Sequence, residues 1–295
     1  RVTVDAPADM VVASTGIEVS PAASEGPASG RSIRRYVSGP VREFGMIMSR
    51  AYQKQTLTVR NITINSYHLS GDEQGGYSAL WRAAAALQVY SDVFSPYPYA
   101  EFDVAEAPLG KRGMEYPGLI LVGSEVYRTE RKRLEPLVAH ETAHQWWYNL
   151  VGSDPIQCPA VDEGLAEYSL FFYYQKVYGE RWAQDMANTR WVAPYQVARE
   201  NGLDARVEQP ASGFNQDNYE VIIYARSGML YNELRQYIGN EAFNTAVQTY
   251  LRTYQYRIAP PGAFLGIASG TTARNLEDIA NKWRQAPRPP PDEQA

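Results

Sequence analysis

His140, Glu141, His144 and Glu163 constrain this chain more than any other feature. Two histidines stand four apart with a glutamate directly after the first, and eighteen intervening residues lead to a second glutamate. On a helix of 3.6 residues per turn, His140 and His144 lie one turn apart on the same face, and Glu141 is rotated to the flank. Two imidazoles able to reach one point, with a third ligand returning as Glu163, are the ligand set of a catalytic zinc ion with one open position. Glu141 faces that open position, so it is read as a base and not a ligand. The intervening loop carries Gly152, Pro155 and Pro159, which turn the chain back so that a second helix can face the first. Asp162 is predicted to cap that helix, with Glu163 in its first turn.

An exposed helix can carry His-Glu-x-x-His with no metal. Here the motif lies among Leu134, Leu137, Val138, Ala139, Ala143, Trp146 and Trp147, and the chain holds only three histidines, two of them in the motif. Burying both imidazoles beside a carboxylate without a metal would carry a large desolvation cost. His68, the third histidine, lies in a polar stretch and is read as a solvated linker residue. Cys158, the one cysteine, sits in the loop before Glu163. It is read as a packed thiol, with an adventitious ligand role as the alternative.

Four stretches, in this order, resemble the gluzincin aminopeptidases, a family of zinc exopeptidases. They are Gly113-Met-Glu-Tyr-Pro-Gly118, Val138-Ala-His-Glu-Thr-Ala-His-Gln-Trp-Trp-Tyr-Asn-Leu-Val-Gly152, Asp162-Glu-Gly-Leu-Ala-Glu-Tyr168 and Val221-Ile-Ile-Tyr-Ala-Arg226. Eighteen residues between the second His and the Glu is that family's spacing, and thermolysin-like endopeptidases typically have a longer one. The resemblance covers about residues 77 to 285. It implies an α+β fold, a thermolysin-like catalytic domain of a small mixed sheet plus a helical bundle, with the metal in the cleft between them. It also implies one zinc per chain.

By the same resemblance, Tyr224 is the phenol that hydrogen-bonds the oxyanion as charge develops, in Tyr224-Ala-Arg226 where the family usually has Tyr-x-Lys. Tyr219 is the competing tyrosine. Glu115, with Met114 and Gly113, is the substrate-binding segment, and Glu115 is expected to pair with a substrate's free α-ammonium. Relative to the family pattern, a Gly is replaced by Arg112 and an Asn by Tyr116. Glu167 lies one turn after Glu163, where it could accept a hydrogen bond from a zinc-ligating imidazole.

The expected organisation has three parts. Residues 1–70 carry β-like alternation, interrupted by Pro/Ala/Ser/Gly-rich turns around 20–32, and resemble the last portion of a β-sandwich domain. After a linker marked by Gly71, Gly75 and Gly76, residues 71–286 form the zinc peptidase domain. Residues 287–295 are a Pro-rich tail expected to be disordered. With 295 residues, 44% of them hydrophobic, the chain has enough apolar material for a real core. A net charge of −5 with no basic run argues against nucleic acid or an anionic membrane surface as partner. No apolar stretch is long enough to span a membrane. The chain starts at Arg1, which reads as a processed or trimmed product, and its compartment cannot be read from its ends.

Three functions fit these residues. The first is a zinc aminopeptidase acting on peptides with a free N-terminus. The second is a thermolysin-type endopeptidase using the same metal chemistry. The third is a catalytically silent peptide-binding module, for which a shortened β-domain is the motive. The spacing and Glu115 favour the first, and intact ligands and base argue against the third.

Overall fold

The structure, a computed structural model, describes residues 1–19 and 30–284. The turns expected around 20–32 fall mostly outside these residues, and the tail 287–295 falls wholly outside them. Two compact units are present: one holds the described residues up to Ser91 and Pro96–Gln145, the other Asp92–Ser95 and the described residues from Trp146 on.

The first unit contains strands β1 (Val2–Pro7), β2 (Val11–Ser14), β3 (Ile17–Val19), β4 (Arg31–Val37), β5 (Met46–Ser49), β6 (Tyr52–Val59) and β7 (Ile62–Leu69). Helix α1 (Glu73–Val93), strands β8 (Glu101–Ala107), β9 (Gly113–Tyr116) and β10 (Leu119–Gly123), and helices α2 (Ser124–Arg128) and α3 (Arg131–Ala143) follow. Its main sheet has the order β6-β7-β8-β10-β9. Pairing is parallel for β7–β8 and β8–β10 and antiparallel at both flanks. A parallel pair needs a crossover, and α1 supplies it between β7 and β8. β8 is buried along almost its whole length, which is why Phe102-Asp-Val-Ala-Glu-Ala107 shows little of the alternation seen in the flanking strand β6.

The boundary expected near residue 70 therefore falls inside this unit, because Ile64 pairs with Phe102 in one continuous sheet. Only β1–β5 stand apart, as a β1-β4-β3 sheet and a β2-β5 pair. Tyr36, Val4, Ala6 and Val12 form their core cluster, and Ala13 joins Tyr52, Tyr67, Ala105 and Leu119 of the main sheet.

Two expectations are corrected here. Gly75 and Gly76 are not linker residues but open α1, and each marks a close approach. A Cβ on Gly75 would lie 2.6 Å from the Tyr127 ring, and one on Gly76 would collide with the His68 imidazole. His68 is accordingly not solvated. It is 1% exposed in β7, with Nδ1 3.2 Å from the Leu69 carbonyl oxygen. Its polar sequence neighbours misled because β7 is an interior strand covered by a helix whose glycine admits the ring.

The second unit is helical: α4 (Glu163–Tyr178), α5 (Glu180–Ala187), α6 (Ala193–Glu200), α7 (Ser227–Ile238), α8 (Asn240–Tyr254), α9 (Ala263–Ser269) and α10 (Glu277–Arg284). Two π-helical segments, Asn188–Val192 and Val221–Arg226, join α5 to α6 and lead into α7. Aromatic rings build its core: Tyr168 of α4 lies 5.4 Å from Phe243 and 6.0 Å from Tyr231, centroid to centroid. Gly164 lets α7 approach α4, since a Cβ there would sit 2.9 Å from Ser227 and 3.0 Å from Tyr231. No helix among the described residues is long and apolar enough to cross a membrane.

Candidate active site

His140 and Glu141 occupy the last turn of α3, and His144 is the residue that caps it, still in helical conformation. The helix stops there, so Trp146 and Trp147 lie beyond it. Their indole N–H groups are committed elsewhere, Trp146 to the Ser95 carbonyl (2.9 Å) and Trp147 to Ser169 Oγ (2.9 Å). The two imidazoles are 4% and 1% exposed, and their Nε2 atoms stand 3.2 Å apart with rings inclined at 78°. Two ring nitrogens this close in a buried place can reach one point as two ligands of a single cation, their donor and acceptor roles depending on the tautomer.

Glu163 begins α4, as the sequence implies. Asp162 holds the capping position, but its side chain makes no capping hydrogen bond. Tyr224, from the second π-helical segment, donates its phenolic O–H to Glu163 Oε1 at 3.0 Å. Tyr219, the competitor, packs edge-on against Phe214. Arg226, two residues after Tyr224, is buried and anchors the segment. It pairs with Asp204 at 3.1 Å and donates to the carbonyls of Ala205 and Lys282. The planar guanidinium makes these bonds together in a way an ammonium could not.

Among the described residues, His140, His144 and Glu163 form one group able to hold a metal ion, with ligand atoms all within 4.8 Å of one another. Cys158 is not in that group. Burial pushes its thiol up to about 12, which keeps it protonated and unreactive.

Glu141 is 5% exposed, and its carboxylate lies where a Cβ on Gly113 would otherwise be. This contact explains the glycine: only a residue without a side chain allows strand β9 to pass so near the Glu141 carboxylate. Side chains alternate along a strand, so Glu115 shares the Gly113 face, the one turned to Glu141. Met114 and Tyr116 take the other face. Tyr116 packs on Gly45 and on the Tyr52–Tyr67 cluster, so the Asn-to-Tyr departure from the family pattern lies away from Glu141. Arg112 is exposed, and its carbonyl accepts the Gly123 N–H at 2.9 Å. Among the described residues β9 is also an edge strand, paired with β10.

Glu167 has no exposed surface. Its carboxylate accepts from Arg190 Nε, from Arg190 Nη2 at 3.0 Å and from Trp191 Nε1 at 2.7 Å. Burial opposes the Arg190 charge, and the Glu167 charge and hydrogen bonds outweigh it, holding the guanidinium above its ordinary pKa. Arg190 and Trp191 escaped sequence reasoning because nothing local ties them to a residue more than twenty positions earlier.

An α+β chain with two histidines of one helix and a glutamate of another grouped so that they could hold a single metal, beside a further buried glutamate, has the makeup of a metal-binding domain. Residues 78–283 match the peptidase family M1 domain, and the chain belongs to that family. Among similar proteins, the alanine/arginine aminopeptidase of Saccharomyces cerevisiae is 26% identical over 241 residues, covering 75% of this chain and 27% of its own length. Human endoplasmic reticulum aminopeptidase 1 is 27% identical over 214 residues, covering 68% of this chain and 22% of that protein. The chain thus spans about a quarter of these relatives. An M1 zinc metallopeptidase from Deinococcus radiodurans shares the fold, with a TM-score of 0.77 at 21% identity over 98% of this chain and 63% of that one.

Proposed function

We propose that the chain is a zinc aminopeptidase that hydrolyses the N-terminal bond of peptides. The observation that carries this reading is the grouping of His140, His144 and Glu163 within 4.8 Å, in a family whose named members above are aminopeptidases and zinc metallopeptidases. The donor set fits zinc: two imidazoles and one carboxylate, the nitrogen and oxygen ligands of hydrolytic sites. Zinc held there by His140, His144 and Glu163 would supply Lewis acidity and acidify water.

The rest is the work of the chain's own side chains. Glu141 takes a proton from the attacking water and returns it to the leaving amine. Tyr224 gives its hydrogen bond to the oxyanion as charge develops, exchanging Glu163 for the reacting oxygen. Gly113, Met114 and Glu115 lie on an edge strand whose outer backbone groups can pair with an extended peptide. Glu115, on the Glu141 side of that strand, is the acid that meets the substrate's α-ammonium. Pairing at this point selects a free N-terminus, which distinguishes an exopeptidase from an endopeptidase.

The deciding experiment is turnover of a panel of aminoacyl fluorogenic substrates and of their N-acetylated counterparts, with zinc content measured on the same sample. Cleavage of the free-amine set, with blocked peptides left intact and about one zinc per chain, is expected. Equal internal cleavage of acetylated peptides would replace this reading with an endopeptidase. Full zinc without turnover of either set would leave a peptide-binding module.

A further inference from the structure

Helix α4 carries two acids one turn apart, Glu163 and Glu167, and side chains four residues apart lie on one face of a helix. Each is gripped by a different π-helical segment. Tyr224, from Val221–Arg226, donates to Glu163. Arg190 and Trp191, from Asn188–Val192, close on Glu167 with three N–H donors. π-helical turns are rare and occur mostly as single insertions in helices, often at functional sites. Here two of them hold successive turns of one helix.

The grip on Glu167 is tight and directional. The carboxylate is fully buried, and Arg190 leaves 36% of its own side chain exposed. Trp191 is 0% exposed. Its ring fills the space beside Gly228 of α7, where a Cβ would come within 2.7 Å. The indole therefore cannot swing away from Glu167 without disturbing the helix that follows Tyr224. Rotation of α4 about its axis would carry Glu163 and Glu167 in the same direction and break all three bonds to Glu167.

We propose that Arg190 and Trp191 are positioning residues for Glu163: by clamping Glu167 they fix the rotation of α4 and so the aim of the Glu163 carboxylate at the metal. The proposal rests on the zinc site put forward above. It gives Glu167 the role of a handle on its own helix, a role distinct from the imidazole partner that its sequence position suggests. The hydrogen bonds of Arg190 and Trp191 run to Glu167, so their effect passes through α4 to Glu163.

The test is the zinc dissociation constant, measured by chelator competition on the wild type, Glu167→Gln, Arg190→Lys and Trp191→Phe, with melting temperatures of the zinc-free proteins alongside. Loss of a group that orients a metal ligand typically weakens metal binding about 10- to 100-fold. That range is expected for Glu167→Gln, with a smaller loss for Arg190→Lys. Trp191→Phe removes one N–H donor and part of a buried ring, so a modest fall in its zinc-free melting temperature is expected together with a several-fold drop in zinc affinity measured well below that temperature. Unchanged zinc constants with lowered melting temperatures would make the clamp purely structural and overturn the proposal. If Glu167→Gln fails to fold, Trp191→Phe decides alone. A wild type that binds no zinc would instead remove the zinc reading itself, which needs no variant to detect.

Discussion

Glu141 is buried to 5% exposure with its carboxylate set against the backbone of β9, so its replacement by Gln changes charge and basicity but almost no volume. Glu141→Gln should therefore keep its zinc and its melting temperature while hydrolysis falls at least about 100-fold, the lower end of what a positioned base contributes. Metal analysis and steady-state kinetics on one preparation check this, and retained turnover would assign the proton to another group. The tyrosines separate in the same way. Tyr224 lies 3.0 Å from the ligand Glu163, whereas Tyr219 is engaged with Phe214. Tyr224→Phe should lower kcat by about 100- to 1,000-fold, as removal of one oxyanion donor does, with little change in KM. Tyr219→Phe should be close to silent, and the reverse pattern would transfer the role.

At the scale of elements, the contact between β9 and α3 is the sharpest. A methyl group at Gly113 would occupy the volume of the Glu141 carboxylate, so Gly113→Ala must push the edge strand or the base aside. Overpacking of this kind costs about 1–3 kcal/mol. The larger expected effect is on kcat, because Glu115 and Glu141 are displaced together. Urea unfolding and kinetics on Gly113→Ala measure both, and unaltered kinetics would mean that β9 does not set the base. The glycine was legible in the sequence only as part of a motif; that its missing side chain makes room for Glu141 is a fact of pairing. The same holds elsewhere. His140, His144 and Glu163 could be read because helix periodicity brings the first two together and a loop returns the third. Arg190, Trp191 and Arg226 could not, since each acts across a helix packing that no local pattern encodes. His68 misled because neighbours in sequence report on solvent only where the strand lies at an edge, and β7 is internal. The expected division near residue 70 failed to account for α1 as a crossover, which binds β7 to β8 in one sheet.

Across the whole molecule, the acids of β8 set how stability depends on pH. Asp103 is 1% exposed. It accepts from Asn65 Nδ2 of β7 at 2.8 Å and from the Ser14 N–H of β2 at 3.4 Å, so it ties the small β-layer to the main sheet. Burial first, then the neighbouring Glu101, pushes its carboxyl up to about 7, against the hydrogen bonds and the Lys54 charge that pull it down. Glu101 and Glu106, on the same strand, are also raised, chiefly by burial. A folded-state pKa above the unfolded value of about 3.9 means that the folded chain binds the proton more tightly. The stability contributed is then fully present below pH 4 and is lost as pH rises through 7. Glu73 and Glu130 shift the opposite way but are exposed on the surface, where such shifts count for little. Asp103→Asn removes the titration and keeps the shape. Unfolding free energies of both proteins from pH 4 to pH 8 should show the wild type losing on the order of 3 kcal/mol relative to the variant, most of it between pH 5 and 7. Taking the difference cancels the contributions that the two proteins share. A flat difference across this range would mean that Asp103 titrates as an ordinary carboxylate, and that the layer it joins to the sheet is open to water.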